Sequence, residues 1–175
     1  PALDAEPTGV LFQPGAKVDA RAYAAVLRPL AEAGYTVVIP KQPLGIAFLA
    51  AGAFESARDQ FPDITQWIVG GHSLGGTVAA MDAEEHGADA TAPAAGLLLY
   101  ASYPASDMST SLTSDVMSVS GSEDGLATPA DIEASRANLP AGSEFVPIEG
   151  AVHSFFGDYG PQPGDGTPET THEEA

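Results

Sequence analysis

Ser73 lies in Gly71-His72-Ser73-Leu74-Gly75, where an apolar run (residues 66–69, QWIV) meets a stretch with helical character (74–86). A serine in the pattern G-x-S-x-G at a strand-to-helix turn is a candidate nucleophile. The sharp turn lifts the hydroxyl clear of the sheet edge, and the flanking glycines let strand and helix approach. The pattern alone is weak: with 19 Gly in the chain, chance supplies roughly 0.15 matches. Its position between strand and helix carries the reading, against the alternative of a Gly-rich turn with an incidental serine.

A serine hydroxyl needs a base, and the base needs an orienting acid. His153 follows the last apolar run (145–148), and Asp124 follows the run 116–120. Both therefore fall at the carboxyl ends of predicted strands, the edge where open α/β sheets gather their sites. Glu123 is the rival acid; Asp107 and Asp115 fit less well because they precede the fifth strand. His72 reads as a packing or hydrogen-bonding residue, His86 as a helix-end residue in a favourable dipole contact, and His172 as a solvated tail residue. Acyl chemistry also needs two backbone donors for a developing oxyanion. The amide of Leu74 is the first candidate and that of Ala16 the second, with Lys17 as rival, in Pro14-Gly15-Ala16-Lys17. The competing reading makes that Pro-Gly only a turn. Gly15, Lys17, Pro43 and Tyr103 follow strand ends and are expected to line the site. No His pair has helical ligand spacing, so no metal is expected. No Lys follows Gly75-Gly76, so the elbow is not a phosphate cradle, and no cofactor is expected.

The elements that must position these residues alternate along the chain. Strands are predicted at 8–13, 35–39, 66–69, 96–100, 116–120 and 145–148. Helices are predicted from an Asp19 cap to just before Gly34, over 44–60, over 74–86, and from Thr128-Pro129 onward. Pro29 is expected to kink or end the first helix. The fold class is α/β: a mostly parallel open sheet of about six strands flanked by helices. Residues 1–157 form the predicted domain, and 158–175 a polar, Pro/Gly-rich loop or tail. Residues 171–174 resemble a first helical turn, so the natural chain is expected to continue. Pro1 in place of Met leads to the expectation that an upstream segment has been removed, one able to carry a signal or anchor; cytoplasmic and exported locations both stay open.

Together these residues resemble the α/β-hydrolase superfamily. More narrowly, they are similar to a compact, capless group near its dienelactone-hydrolase-like branch. The matching stretches are LFQPGAKVDARAY, LAEAGYTVVIPKQPLGIAFL, WIVGGHSLGG, YASYP, GSEDG and IEGAVHSFFGDYGPQPGDG, spanning most of the chain from Val10 to Gly166. The resemblance implies a Ser73, Asp124, His153 triad working through an acyl-enzyme on a small ester, thioester or lactone. Three departures stand out: Pro14-Gly15 replaces the usual His-Gly, Ser73 replaces the cysteine of dienelactone hydrolases proper, and residues 101–115 are too few for a lid. The first one or two strands of the superfamily are also absent from this sequence. An acyltransferase or peptidase with the same triad, and a non-catalytic binding domain of this fold, are the rival functions.

Composition narrows the partners. The chain of 175 residues is 44% hydrophobic, enough for one core, and no run approaches the ~18 apolar residues of a membrane span. With 24 acidic residues against six Lys and Arg, the net charge is −18. Such a chain repels nucleic acid, whose binding requires clustered cations; the partner that the resemblance implies is a small acyl substrate. The absence of Cys rules out disulfides and thiolate chemistry. Self-repulsion of this size is screened in concentrated salt, where the Debye length shortens to about 3 Å at 1 M, and a halophilic source is expected, against the alternative of an acidic mesophile protein whose charge sits mainly in loops and the tail. Unfolding measured over a salt series should show greater stability at molar salt than in dilute buffer.

Overall fold

The computed structural model describes residues 7–50 and 52–175. Six strands form one all-parallel sheet: β1 (Thr8–Gln13), β2 (Thr36–Val38), β3 (Gln66–His72), β4 (Ala94–Tyr100), β5 (Asp115–Gly121) and β6 (Glu144–Ile148). Their order is β2-β1-β3-β4-β5-β6. Because side chains alternate across a strand, one register row presents Val38, Leu11, Val69, Leu97 and Val116 to the same face. These residues join Phe54, Trp67, Ala79, Ala80, Ala83 and Leu99 in the larger core cluster. The opposite face presents Phe12, Leu98 and Tyr100, which pack with Tyr23 and Leu27.

Four helices flank the sheet: α1 (Ala24–Glu32), α2 (Ala53–Gln60), α3 (Leu74–His86) and α4 (Pro129–Ser135). In α3 the buried residues are Gly75, Gly76, Val78, Ala79, Ala80 and Ala83. Such small side chains let this helix lie close against β3 and β4. In α4 the sequence signal is realised in full: Thr128 accepts from the Asp131 amide while Asp131 accepts from the Thr128 amide, a reciprocal capping box behind Pro129.

Two predicted helices differ from their expected form. Asp19 does cap the first, accepting from Arg21 N–H at 2.9 Å, but what it caps is a 3-10 turn (Ala20–Tyr23) that leads into α1. Pro29 does not end α1, which runs to Glu32. Termination comes at Gly34 (φ 100°): Gly34 N–H donates to Ala31 and Tyr35 N–H to Leu30, a Schellman closure. The second helix, expected over 44–60, is broken into the 3-10 turns Pro43–Gly45 and Ala47–Ala50 before α2; Ala51 lies outside the described residues. The cause is backbone packing. Lys17 N–H donates to Gly45 O at 2.6 Å, and Gly45 holds φ 67° with no room for a Cβ beside Lys17 Cα. That contact ties the loop after β1 to the loop after β2 and prevents a continuous helix.

Residues 101–114 carry neither helix nor strand, and from Gly157 to the end no helix or strand forms. The expectation about a removed upstream segment concerns residue 1, which lies outside the described residues.

Trp67 on β3 is fully buried and meets Phe54 of α2 edge-on at 5.8 Å, joining helix to sheet. Truncation of a buried aromatic of this kind removes about 3–5 kcal/mol. Denaturant unfolding of Trp67→Ala should show a loss of that size.

Candidate active site

The site is built on the turn between β3 and α3. Ser73 stands there at φ 52°, ψ −125°, a conformation that costs a non-glycine residue roughly 1–3 kcal/mol. The neighbouring glycines make the turn possible. A Cβ on Gly71 would strike the Gly75 backbone, and one on Gly75 would strike the carbonyls of Gln13 and Pro14. Hydrogen bonds then hold the turn from both sides. Ser73 N–H donates to Tyr100 O at 3.0 Å, and Ser102 Oγ donates to Ser73 O at 2.6 Å.

His153 begins the 3-10 turn His153–Phe156 after β6, and Asp124 lies in the loop after β5. They meet side by side: His153 Nδ1–H donates to Asp124 Oδ2 at 2.8 Å, with the two residues 1% and 3% exposed. The other oxygen of Asp124, Oδ1, accepts from the amides of Leu126 and Ala127, each at 2.8 Å. The carboxylate is thus fixed on both oxygens, and the ring has Nε2 left for other work. It is Asp124 that meets the imidazole; Glu123 accepts from Ser122 Oγ instead. Asp107 is engaged locally with Ser109, and Asp115 opens β5.

Ser73 and His153 line one open cleft of about 330 Å³ together with Leu74, Thr77, Ala101, Tyr103 and Leu126. They are not hydrogen-bonded to each other. Such bonds are often long or misaligned without substrate and tighten when it arrives. As the first residue of α3, Leu74 has no intrahelical acceptor for its N–H. The amide of Ala16 makes no hydrogen bond among the described residues, whereas that of Lys17 is spent on Gly45. Packing of Gln13 and Pro14 on Gly75 brings the Ala16 loop next to the α3 N-terminus.

Of the four residues expected to line the site, Tyr103 does so. Gly15, Lys17 and Pro43 are not among the lining residues. Gly15 is buried against His72 and donates its N–H to Tyr23 Oη at 2.9 Å. Lys17 and Pro43 belong to the Gly45 contact described above, which turns their loops toward each other.

His72 lies beneath the site, its ring 4.5 Å from that of His153. Tyr23 Oη, which accepts from Gly15 N–H, is hydrogen-bonded to His72 Nδ1 at 2.8 Å, and His72 Nε2 is buried with no hydrogen-bond partner among the described residues. Burial above all, then the neighbouring His153, pushes the His72 pKa down to about 3. His86 is the last residue of α3, the helix end expected of it, and it also bridges Glu55, at 3.1 Å from Nε2, and Arg58, at 3.4 Å from Nδ1. His172 is exposed, as expected of a solvated tail residue, and its ring donates to Phe155 O at 3.0 Å.

Two residues of the Pro/Gly-rich segment escaped the sequence reading. Gln162 lines the cleft while accepting from Tyr159 Oη at 3.0 Å. Asp165 accepts from the amides of His153 (3.0 Å) and Ser154 (2.8 Å). The available signal was an aspartate between two glycines in a turn-rich stretch, which marks a turn but not its partner. Among the described residues no group of three His, Asp or Glu side chains is arranged to hold a metal ion, and no helix is long and apolar enough to cross a membrane.

A strand-turn-helix serine and an acid-histidine pair at the carboxyl edge of a parallel sheet define a hydrolase-type fold. Accordingly, a family model described as the alpha/beta hydrolase family matches residues 9–175, and the chain belongs to that family. Among solved structures, an alpha-beta serine hydrolase homologue from Coxiella burnetii aligns at 17% identity with TM-score 0.65, covering 89% of this chain and 81% of that one. A putative alpha/beta hydrolase from Agrobacterium tumefaciens gives 14% and 0.71, covering 86% and 78%. A thioesterase of the prodiginine pathway of Streptomyces coelicolor gives 17% and 0.63, covering 90% and 86%. At these identities the likeness is one of fold. No curated protein matches the sequence significantly.

The His72 pKa gives stability a pH dependence of definite sign. The unfolded ring, near 6.5, binds a proton more readily than the folded one, near 3. Stability from this group is therefore fully present above pH 6.5 and declines as pH falls toward 3. Asp82, raised to about 6 chiefly by burial and then by Glu55, acts oppositely, its contribution declining as pH rises from 3.8. Comparison of wild type with His72→Gln isolates the histidine. Between pH 6.5 and 4 the wild type should lose up to about 1.4 kcal/mol more per pH unit than the variant in denaturant unfolding.

Proposed function

We propose that this protein is a serine hydrolase that cleaves a small ester, thioester or lactone through an acyl-enzyme on Ser73. The observation that carries the reading is the buried His153–Asp124 pair, 2.8 Å apart, at a cleft that Ser73 also lines. In this mechanism Ser73 Oγ attacks the substrate carbonyl while His153 Nε2 takes the hydroxyl proton. Asp124 holds the ring in the Nδ1–H tautomer and stabilises the imidazolium. His153 then returns the proton to the departing alcohol, thiol or ring oxygen. A water molecule, deprotonated by the same ring, attacks the acyl-enzyme and frees Ser73. The amides of Leu74 and Ala16 hold the oxyanion formed in each half. The orphan state of both amides supports this role.

The cleft is open to water, which favours hydrolysis over transfer. Structural neighbours named as a thioesterase and an esterase agree with the acyl class. A peptidase or acyltransferase would use the same groups; product analysis with water, alcohol and amine acceptors separates them. A binding domain without turnover would answer an ester panel with thermal shifts alone.

A fluorophosphonate probe should label wild type but not Ser73→Ala, and the variant should lose about 10⁴-fold or more in kcat on a p-nitrophenyl ester. A folded wild type that stays unlabelled, indistinguishable from Ser73→Ala, counts against the reading.

A further inference from the structure

We infer that Asp165 is a positioning residue for His153, a role that rests on the serine-hydrolase reading for its catalytic meaning. The 3-10 turn carrying His153 follows Val152 at the N-cap position, which provides no side-chain cap. Its first amides would be orphans. Asp165 supplies the missing cap from across the chain: Oδ1 accepts from His153 N–H at 3.0 Å and Oδ2 from Ser154 N–H at 2.8 Å. Oδ1 also accepts from Gly166 N–H at 2.8 Å and, at 3.4 Å, from Gly125 N–H, the residue after Asp124. One carboxylate thus sets the loop of the base against the loop of the acid.

A second observation points the same way. Gly166 and Gly125 lie backbone to backbone, and a Cβ on Gly166 would strike the carbonyl of Glu123. The segment continues in contact with the base loop, since Glu169 N–H donates to Gly150 O at 2.9 Å. Burial works to raise the pKa of Asp165, but the N–H groups of Ser154, Gly166 and His153 outweigh it and hold the carboxyl below its ordinary value. The group that spans the two loops is therefore a carboxylate across the neutral range. Asp165 is absent from the cleft lining, so its effect reaches the substrate only through the placement of the imidazole. A displacement of about 1 Å at a reacting group costs on the order of 10²-fold.

The test uses Asp165→Asn, which keeps the shape but turns an amide NH₂ toward backbone donors, and Asp165→Ala. Fluorophosphonate labelling and p-nitrophenyl ester turnover give the rates, and proton NMR follows the His153 Nδ1–H held by Asp124. Asp165→Asn should fold, label and turn over about 10²-fold more slowly at little changed KM, and lose or shift that proton resonance. Near-UV circular dichroism checks the fold; if Asp165→Ala fails to fold, Asp165→Asn decides. A folded Asp165→Asn with the wild-type labelling rate and an unchanged resonance overturns the inference. If wild type itself is not labelled, the hydrolase reading fails instead, and the resonance alone still decides whether Asp165 positions the ring.

Discussion

The architecture of the site depends on one strained turn. Ser73 occupies a positive φ without being glycine, and the strain persists because its surroundings leave no other place for the chain. Parallel pairing fixes β3 between β1 and β4, so the end of β3 cannot shift. Small residues along α3 bring the helix onto the sheet, and its first turn touches the carbonyls that end β1. Replacing Gly71 or Gly75 by any larger residue would push helix from strand and dissolve the turn. The proposed nucleophile, the free amide of Leu74 and the approach of the Ala16 loop are consequences of that single close contact.

The other half of the site is organised by carboxylates and backbone amides. Asp124 is satisfied on both oxygens, by two amides and by the His153 ring. Asp165 does the same for the turn that carries the ring. A second, neutral histidine lies under the first, tied through Tyr23 to Gly15 at the end of β1. Hydrogen bonds of buried or half-buried groups thus link the end of β1 to that of β3 and the loop after β5 to that after β6, and the two histidine rings meet between these pairs. In a low-dielectric setting such bonds hold position well and tolerate unpaired partners poorly.

Much of this was legible in the residues. The alternation of apolar runs and helical stretches indicated the parallel sheet, and α3 and the α4 cap are where local signals placed them, because local chemistry decides both. The interval 44–60 was misread. Its Ala-rich composition favours a helix, yet Gly45 must lie flat against Lys17, and that demand arises in three dimensions only. Pro29 does not bring the early end that its missing N–H suggested, since α1 continues to Glu32 and closes at Gly34. The partners of His86 and His172 likewise lie 31 and 17 residues away, beyond any local pattern.

By itself the sequence determined the fold class, the strand-turn-helix setting of Ser73 and the positions of Asp124 and His153 at strand ends. Each follows from periodicity, glycine placement and chain order. The tertiary structure alone decided which acid meets the imidazole, which amides remain free, and that the Pro/Gly-rich segment returns to hold the loop of His153. Those outcomes depend on hydrogen bonds between residues far apart in the chain, whose geometry exists only once the sheet has brought its loops to one edge.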